Sequence, residues 1–198
     1  IKSSYTWDQV DKRIRVLSKH LSKNLSLGDR VVLLSENRPE WLIADLAIMN
    51  AGGITVPIFT TYAERDYEYI LNDCSPSLVI VSNDIQFEKI KKFIDNKKII
   101  SFEKIKTFST TFESIFNEKY EKEINNKLSR KLPACIIYTS GTSGNPKGVI
   151  LSHGGILSNC EGALELLQPL LKKKEPTFLT WLPLSHSYEH TVQMIQIL

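Results

Sequence analysis

The chain has 198 residues with 25 Lys+Arg against 22 Asp+Glu, a formal net charge of +3, and is 42% hydrophobic and 24% charged. This is the composition of an ordinary folded domain, long enough to bury a core as one domain or two. The small positive charge comes with no basic stripe and no nucleic-acid motif, which argues against nucleic acid as a partner. Cys74, Cys135 and Cys160 lie far apart, form no C-x-x-C pair and are odd in number. Reduced thiols in a cytoplasmic protein are expected, not a disulfide framework. No signal peptide opens the chain. The lack of an initiator Met, and the stop at Leu198 inside an amphipathic run (Val192, Ile195, Leu198), lead us to expect that both ends are cuts in a longer protein.

In chain order, Thr6-Trp7-Asp8-Gln9 reads as a capping box, and Val10, Ile14, Leu17 and Leu21 then recur at helical spacing. This predicts an amphipathic helix ending near Gly28. Val31 to Leu34 is a short apolar strand. Asn37 is placed to cap the next helix, with Pro39 and Glu40 in its first turn, running to about Asn50. The apolar stretch Trp41 to Phe59 is broken by Asp45, Asn50 and Gly52-Gly53, so helix, glycine turn and buried strand (Ile54 to Phe59) fit better than a membrane span. Thr61 to Glu64 predicts the start of a third helix, Leu78 to Val81 a third strand, Asp84 a helix start, and Ile99-Ile100 a fourth strand. Alternating helices and strands apolar on both faces predict an α/β fold, a mostly parallel sheet covered by helices.

The segment from Thr107 to Lys131 is polar and charge-mixed, with one helix near Phe112 to Tyr120. It divides an N-terminal α/β subdomain (1–106) from the start of a second one (132–198), whose strand Ala134 to Tyr138 is expected to open a second sheet.

The most informative stretch is Tyr138-Thr139-Ser140-Gly141-Thr142-Ser143-Gly144-Asn145-Pro146-Lys147-Gly148. Glycines let backbone N–H groups face an anion without Cβ obstruction, the hydroxyls add donors, and one Lys supplies positive charge. A plain hairpin turn is the alternative, but a turn has no need of Lys147 or of four hydroxyls. It is not a Walker loop: Pro146 precedes the Lys, Gly148 follows it, and a strand-like run (Val149 to Leu151) comes next where a helix would be required. Nor does it keep the spacing of a serine-hydrolase elbow, which fails at Asn145.

Thr139 to Gly148 resembles the phosphate-loop signature of the adenylate-forming superfamily: acyl-CoA synthetases, luciferases and peptide-synthetase adenylation domains. Ser143 stands where Thr is more usual. Gly28 to Val31, Ser35 to Trp41 and Gly52 to Pro57 are similar to the N-terminal region of its long-chain fatty-acyl members. Leu182-Pro183-Leu184-Ser185-His186-Ser187-Tyr188-Glu189-His190 resembles the next superfamily motif in its long-chain form. The likeness spans the chain except about residues 85 to 130.

The resemblance implies a two-step ligase. A carboxylate attacks the α-phosphate of Mg-ATP to give acyl-adenylate and pyrophosphate, and a CoA thiol then displaces AMP. It assigns Ser140, Gly141, Thr142, Ser143, Gly144 and Lys147 to the phosphates, with Thr139 and Gly148 shaping the loop. Lys147 and His186 are the expected catalytic residues, and His186 and Tyr188 the acyl-site residues. Packing and capping remain equal alternatives for Tyr188 and Glu189. The Tyr-Gly-x-Thr-Glu segment whose Glu meets Mg2+, the ribose-binding Asp and the lid Lys have no counterpart in this sequence. The 198 residues alone are therefore expected to be inactive. Fatty acid, ATP and CoA are the implied partners, and a lipid substrate implies peripheral contact of the complete protein with a membrane.

His186 to His190 also spells H-x-x-E-H, a zinc-protease pattern. Pro183 and the strand-like Phe178 to Leu182 place His186 at a strand exit instead of mid-helix, against that reading. His153, just after a plausible helix cap at Ser152, is read as structural. Two further readings stay open: another carboxylate-activating enzyme of the same superfamily, and a non-catalytic nucleotide-binding or interaction module.

Overall fold

The computed structural model describes residues 4–106, 110–117, 128–139, 144–171 and 177–197. Thr6 caps α1 (Trp7–Leu21) as its sequence predicts: its hydroxyl accepts from Gln9 N–H at 3.3 Å, and the Gln9 side chain accepts from Thr6 N–H at 2.9 Å. Leu17 and Leu21 are buried, with Val10 and Ile14 packed beside them. The helix ends at Leu21, short of the predicted Gly28; at its C-cap the Ser22 side chain competes for one of the last carbonyls, Oγ donating to Lys19 O at 3.0 Å.

The chain then runs β1 (Arg30–Leu34), α2 (Pro39–Asn50), β2 (Ile54–Ile58), α3 (Glu64–Cys74), β3 (Leu78–Val81), α4 (Asp84–Ile90) and β4 (Ile99–Ser101). Gly52, at φ +84°, makes the turn from α2 into β2 that a side chain would strain. Helix α3 is capped at Ala63, not at Thr61: Asp66 reaches back to accept from Ala63 N–H at 3.2 Å. Asn37 does not cap α2 either. Pro39 holds Arg38 extended at the cap position (φ −162°, ψ 158°), which frees the Asn37 side chain for a longer-range task.

One mixed sheet has the order β4-β3-β1-β2-β5-β6, where β5 is Pro133–Thr139 and β6 is Lys147–Ser152. All neighbours are parallel except β5 and β6, which form an antiparallel hairpin. The strand at 134 therefore opens no second sheet: β5 pairs with the free edge of β2, Thr55 opposite Cys135, which satisfies backbone groups that burial would otherwise strand.

Alternate β1 residues feed opposite cores. Val31 and Leu33 pack with Trp41, Ile43, Ala47 and Leu17 on the α1/α2 side, joined by Phe112 and Ile115 of α5 (Phe112–Phe116). Val32 and Leu34 pack with Tyr67, Ile70, Phe87 and Ile90 on the α3/α4 side. Burial on both faces is why these strands read as continuous apolar runs.

Helix α6 (His153–Leu171) follows β6, with Gly155 N–H donating to the Ser152 hydroxyl at 3.1 Å, and α7 (Ser187–Ile195) closes the described chain. A third, smaller cluster of Met49, Ala134, Cys160, Met194 and Ile195 joins α2, β5, α6 and α7. All three cysteines are buried and unpaired; desolvation pushes the Cys74 thiol up to about 12, despite nearby Arg30. No helix among the described residues is long and apolar enough to cross a membrane.

Candidate functional site

Parallel strands bring their C-terminal ends to one edge of a sheet, where side chains and loops from several strands converge. Here β2 and β5 run in parallel and end at Ile58 and Thr139. Beyond them lies a cavity of about 500 Å³. One wall is Phe59 and Tyr62, which follow β2, with Arg65 and Asp66 from the first turn of α3; a second is Ile137, Tyr138 and Thr139 of β5; a third is Gly144 and Pro146; the fourth is His186 and Ser187.

Two aromatic side chains fix the β2 and β5 exits. The Tyr62 hydroxyl donates to Tyr138 O at 3.3 Å, and the Tyr67 hydroxyl donates to Phe59 O at 3.0 Å. Tyr138 itself is buried, and its hydroxyl donates to Asp73 at the end of α3. Burial first, then this bond to a carboxylate, raises the Tyr138 phenol well above its usual range, so it stays protonated as a donor.

The glycine-rich segment is the turn of the β5–β6 hairpin, closed by Thr139 opposite Lys147. Ser140, Gly141, Thr142 and Ser143 lie outside the described residues. A Cβ on Gly148 would meet Ile136 Cγ2 at 2.9 Å and Tyr138 Cζ at 3.2 Å, so glycine is required for β6 to lie this close to β5. Lys147 is exposed, and among the described residues its ammonium has no hydrogen bond or ion pair.

His186 is the N-cap of α7, its Nδ1 accepting from Tyr188 N–H at 3.2 Å, and its ring meets Phe59 edge-on with centroids 6.4 Å apart. The residues before it are clamped from both sides. Asn37 Nδ2 donates to Leu182 O at 2.6 Å, Leu184 N–H donates to Asn37 Oδ1 at 2.9 Å, and the Ser185 hydroxyl donates to Ile58 O at 3.3 Å. Residues 178–182 form no strand; with no strand beside them among the described residues, these bonds hold them instead.

Of the residues singled out by sequence, the structure gathers Thr139, Gly144 and His186 around one cavity, with Lys147 and Gly148 on the strand that leaves it. Tyr188 is 63% exposed and is not part of the cavity wall. The two histidines of H-x-x-E-H have separate tasks: His186 caps, while His190 is buried with its Nε2 2.7 Å from Asp45 Oδ2. Sequence reading missed Phe59, Tyr62, Asp73 and Asn37. Tyr62, a polar aromatic four residues past a buried strand, carried a weak local signal, and Asn37 carried one that read as a helix cap.

The profile of the family described as AMP-binding enzyme matches residues 2–198. Long-chain-fatty-acid–CoA ligase 6 of Mus musculus is 26% identical over 96% of this chain and 31% of its own length. Long-chain-fatty-acid–CoA ligase ACSBG2 of Gallus gallus is 34% identical over 94% of this chain and 26% of its own. Among solved structures, ATP-bound MatB from Rhodopseudomonas palustris superposes with a TM-score of 0.78 at 22% identity, over 98% of this chain and 38% of that one. The inhibitor-bound N-terminal domain of FACL13 from Mycobacterium tuberculosis gives 0.79 at 21% identity, over 96% and 47%. The chain thus spans less than a third of the length of these curated relatives, and it shares its mixed α/β fold with the MatB and FACL13 structures. On its sequence profile and its fold together, this chain belongs to the AMP-binding enzyme family.

Proposed function

We propose that this chain forms the phosphate-gripping front part of an ATP-dependent, AMP-forming ligase that converts long-chain fatty acids to their CoA thioesters. The observation that carries the reading is the meeting of two distant motifs at one cavity: Thr139, Gly144 and Pro146 of the glycine-rich hairpin face His186 and Ser187 of the Leu-Pro-Leu-Ser-His turn. A nucleotide held by the first and a carboxylate held at the second would lie side by side, the arrangement that acyl-adenylate formation needs.

In that reaction negative charge grows on the departing pyrophosphate. Backbone amides and hydroxyls of 139–144 and the uncommitted Lys147 are the groups suited to stabilise it. His186, already oriented by its cap bond, borders the acyl end. ATP supplies the adenylyl group and CoA the thiol. Magnesium would be held mainly by the phosphate oxygens of ATP with one or two carboxylates; the resemblance gives that role to the Glu of a Tyr-Gly-x-Thr-Glu segment, which has no counterpart in this sequence. A long-chain acid as substrate is supported by the curated relatives' names and by the Leu-Pro-Leu-Ser-His-Ser-Tyr-Glu sequence.

The test is carboxylate-dependent pyrophosphate release by the full-length polypeptide containing this sequence, across fatty acids of several lengths, aryl acids and amino acids. Release with long-chain acids supports the reading. Release only with aryl or amino acids overturns the substrate, and no release with any acid overturns the ligase. The 198 residues alone should release none.

A further inference from the structure

Helix α7 delivers His186, yet it is only nine residues long (Ser187–Ile195) and rests on a small cluster of Met49, Ala134, Cys160, Met194 and Ile195. Apolar contacts of this kind have no direction and leave a short helix free to rotate or slide. Thr180 Oγ1 donates to Gln193 Oε1 at 3.0 Å and Cys160 Sγ donates to Thr191 O at 3.8 Å, but among the described residues one directional contact joins α7 to α2 through two buried ionisable groups. His190 is 2% exposed and its Nε2 lies 2.7 Å from Oδ2 of Asp45, which sits on α2 with no exposure at all. The His190 ring also meets Trp41 of α2 edge-on, centroids 5.7 Å apart. His190 N–H donates to His186 O at 3.0 Å, so the bonded ring lies one helical turn from the residue facing the cavity.

We propose that Asp45 and His190 are positioning residues: their buried bond locks α7 onto α2 in one orientation, and so fixes how His186 and Ser187 meet the cavity. The consequence for catalysis rests on the ligase reading; the locking of α7 does not.

The cost of the arrangement supports a positioning role. A carboxylate and an imidazole taken out of water cost more than an apolar pair of similar size, and Asp45 Oδ1 has no hydrogen-bond partner among the described residues. Nothing about core stability calls for that choice, whereas a charged, directional contact excludes other orientations of the helix. Asp45 is also the carboxylate felt by its other titratable neighbours, Cys135 of β5 and His153 of α6, while Glu189 lies beside His190 on α7. Burial opposes a charge on His190, but the field and hydrogen bond of Asp45 prevail and raise it above its ordinary value. A raised histidine stabilises the fold fully below its unfolded value of about 6.5, and the contribution is lost as pH climbs through the folded value. The lock should therefore weaken on the alkaline side.

The full-length polypeptide tests this with His190→Leu and His190→Gln. Hydrogen exchange of the α7 amides, corrected for intrinsic rates, should accelerate at least tenfold in His190→Leu while β1–β3 amides stay as in wild type. Turnover should fall by about ten- to a hundredfold, with the KM for ATP within twofold. His190→Gln can keep a neutral hydrogen bond to Asp45; it should recover most of both readouts and lose the alkaline weakening of α7 protection. If His190→Leu does not fold, His190→Gln decides alone: an alkaline loss of α7 protection identical to wild type overturns the proposal. So does unchanged α7 exchange in His190→Leu, or a loss spread evenly over the whole sheet. Should wild type release no pyrophosphate with any acid, the ligase reading fails, and α7 exchange still decides whether the pair locks the helix.

Discussion

A cation that is to act on phosphates must be left unspent by the fold, and Lys147 meets that condition: it is exposed at the start of β6 and bonded to no carboxylate among the described residues. Removing its side chain should therefore cost catalysis and spare stability. In the full-length protein Lys147→Ala should lower pyrophosphate release by about 10²–10³-fold, the range for losing one oxyanion donor. The thermal midpoint should stay within about a degree, since exposed substitutions shift stability by roughly ±0.5 kcal/mol or less. A large drop in midpoint would mean that Lys147 is structural. Gly148, its neighbour, is the reverse case. Its missing Cβ leaves room for the Tyr138 ring, which is buried and pinned by Asp73 and so cannot step aside. Gly148→Ala should overpack the hairpin and cost about 1–3 kcal/mol in chemical denaturation; a neutral result would show that the strands can part freely. The spacing of Gly, Ser/Thr and Lys made this loop legible in the sequence, because donors and charge are a local property of a segment. Tyr138's tie to Asp73 was not legible, because it joins residues distant in the chain that only the folded sheet brings together.

Elements formed largely where apolar periodicity and caps indicated. Helix α1, the glycine turn at 52 and the strands at 31–34, 54–58, 78–81 and 99–101 all follow from local patterns. The failures lie where a side chain serves a distant segment. Asn37 has the residue type and position of a helix cap, but its amide bonds Leu182 O and Leu184 N–H, holding the strip that carries His186. The strip's own sequence, alternating Phe178, Thr180 and Leu182, reads as a strand; without a neighbouring strand among the described residues, the backbone stays irregular and depends on this clamp. Asn37→Ala should free residues 178–184. Chymotryptic cleavage at Phe178 or Trp181, the latter 72% exposed, should become several-fold faster, while global stability falls by only about 1 kcal/mol for the lost bonds. Asn37→Asp keeps the acceptor for Leu184 N–H and loses the donor to Leu182 O, so its cleavage rate should fall between the two. Equal rates in all three proteins would remove Asn37 from the support of the site.

At the scale of the molecule, the layered α/β character was legible in the alternation of elements, but the sheet order was not. Pairing β5 with β2 is a long-range choice that no local pattern encodes. That choice also exposes β6. It is one of the two edge strands, its outer edge has no neighbour in the sheet among the described residues, and Lys147 to Ile150 are exposed at successive positions, so both faces meet solvent. Val149 is 46% and Ile150 64% exposed. An open strand edge with apolar side chains templates pairing with another chain, and native sheets blunt such edges with charge or cover them. Lys147 offers one charge at the strand's start; the residues after it offer none. The 198-residue chain alone should therefore self-associate at micromolar concentrations through β6, which sedimentation velocity would detect as concentration-dependent dimers or larger species. Placing lysines at both apolar positions, Val149→Lys with Ile150→Lys, should return it to a monomer and leave the unfolding midpoint nearly unchanged, since neither side chain belongs to a buried cluster. A wild-type chain that stays monomeric over that range, or a double variant that associates as strongly, would show that this edge is already protected by its own geometry.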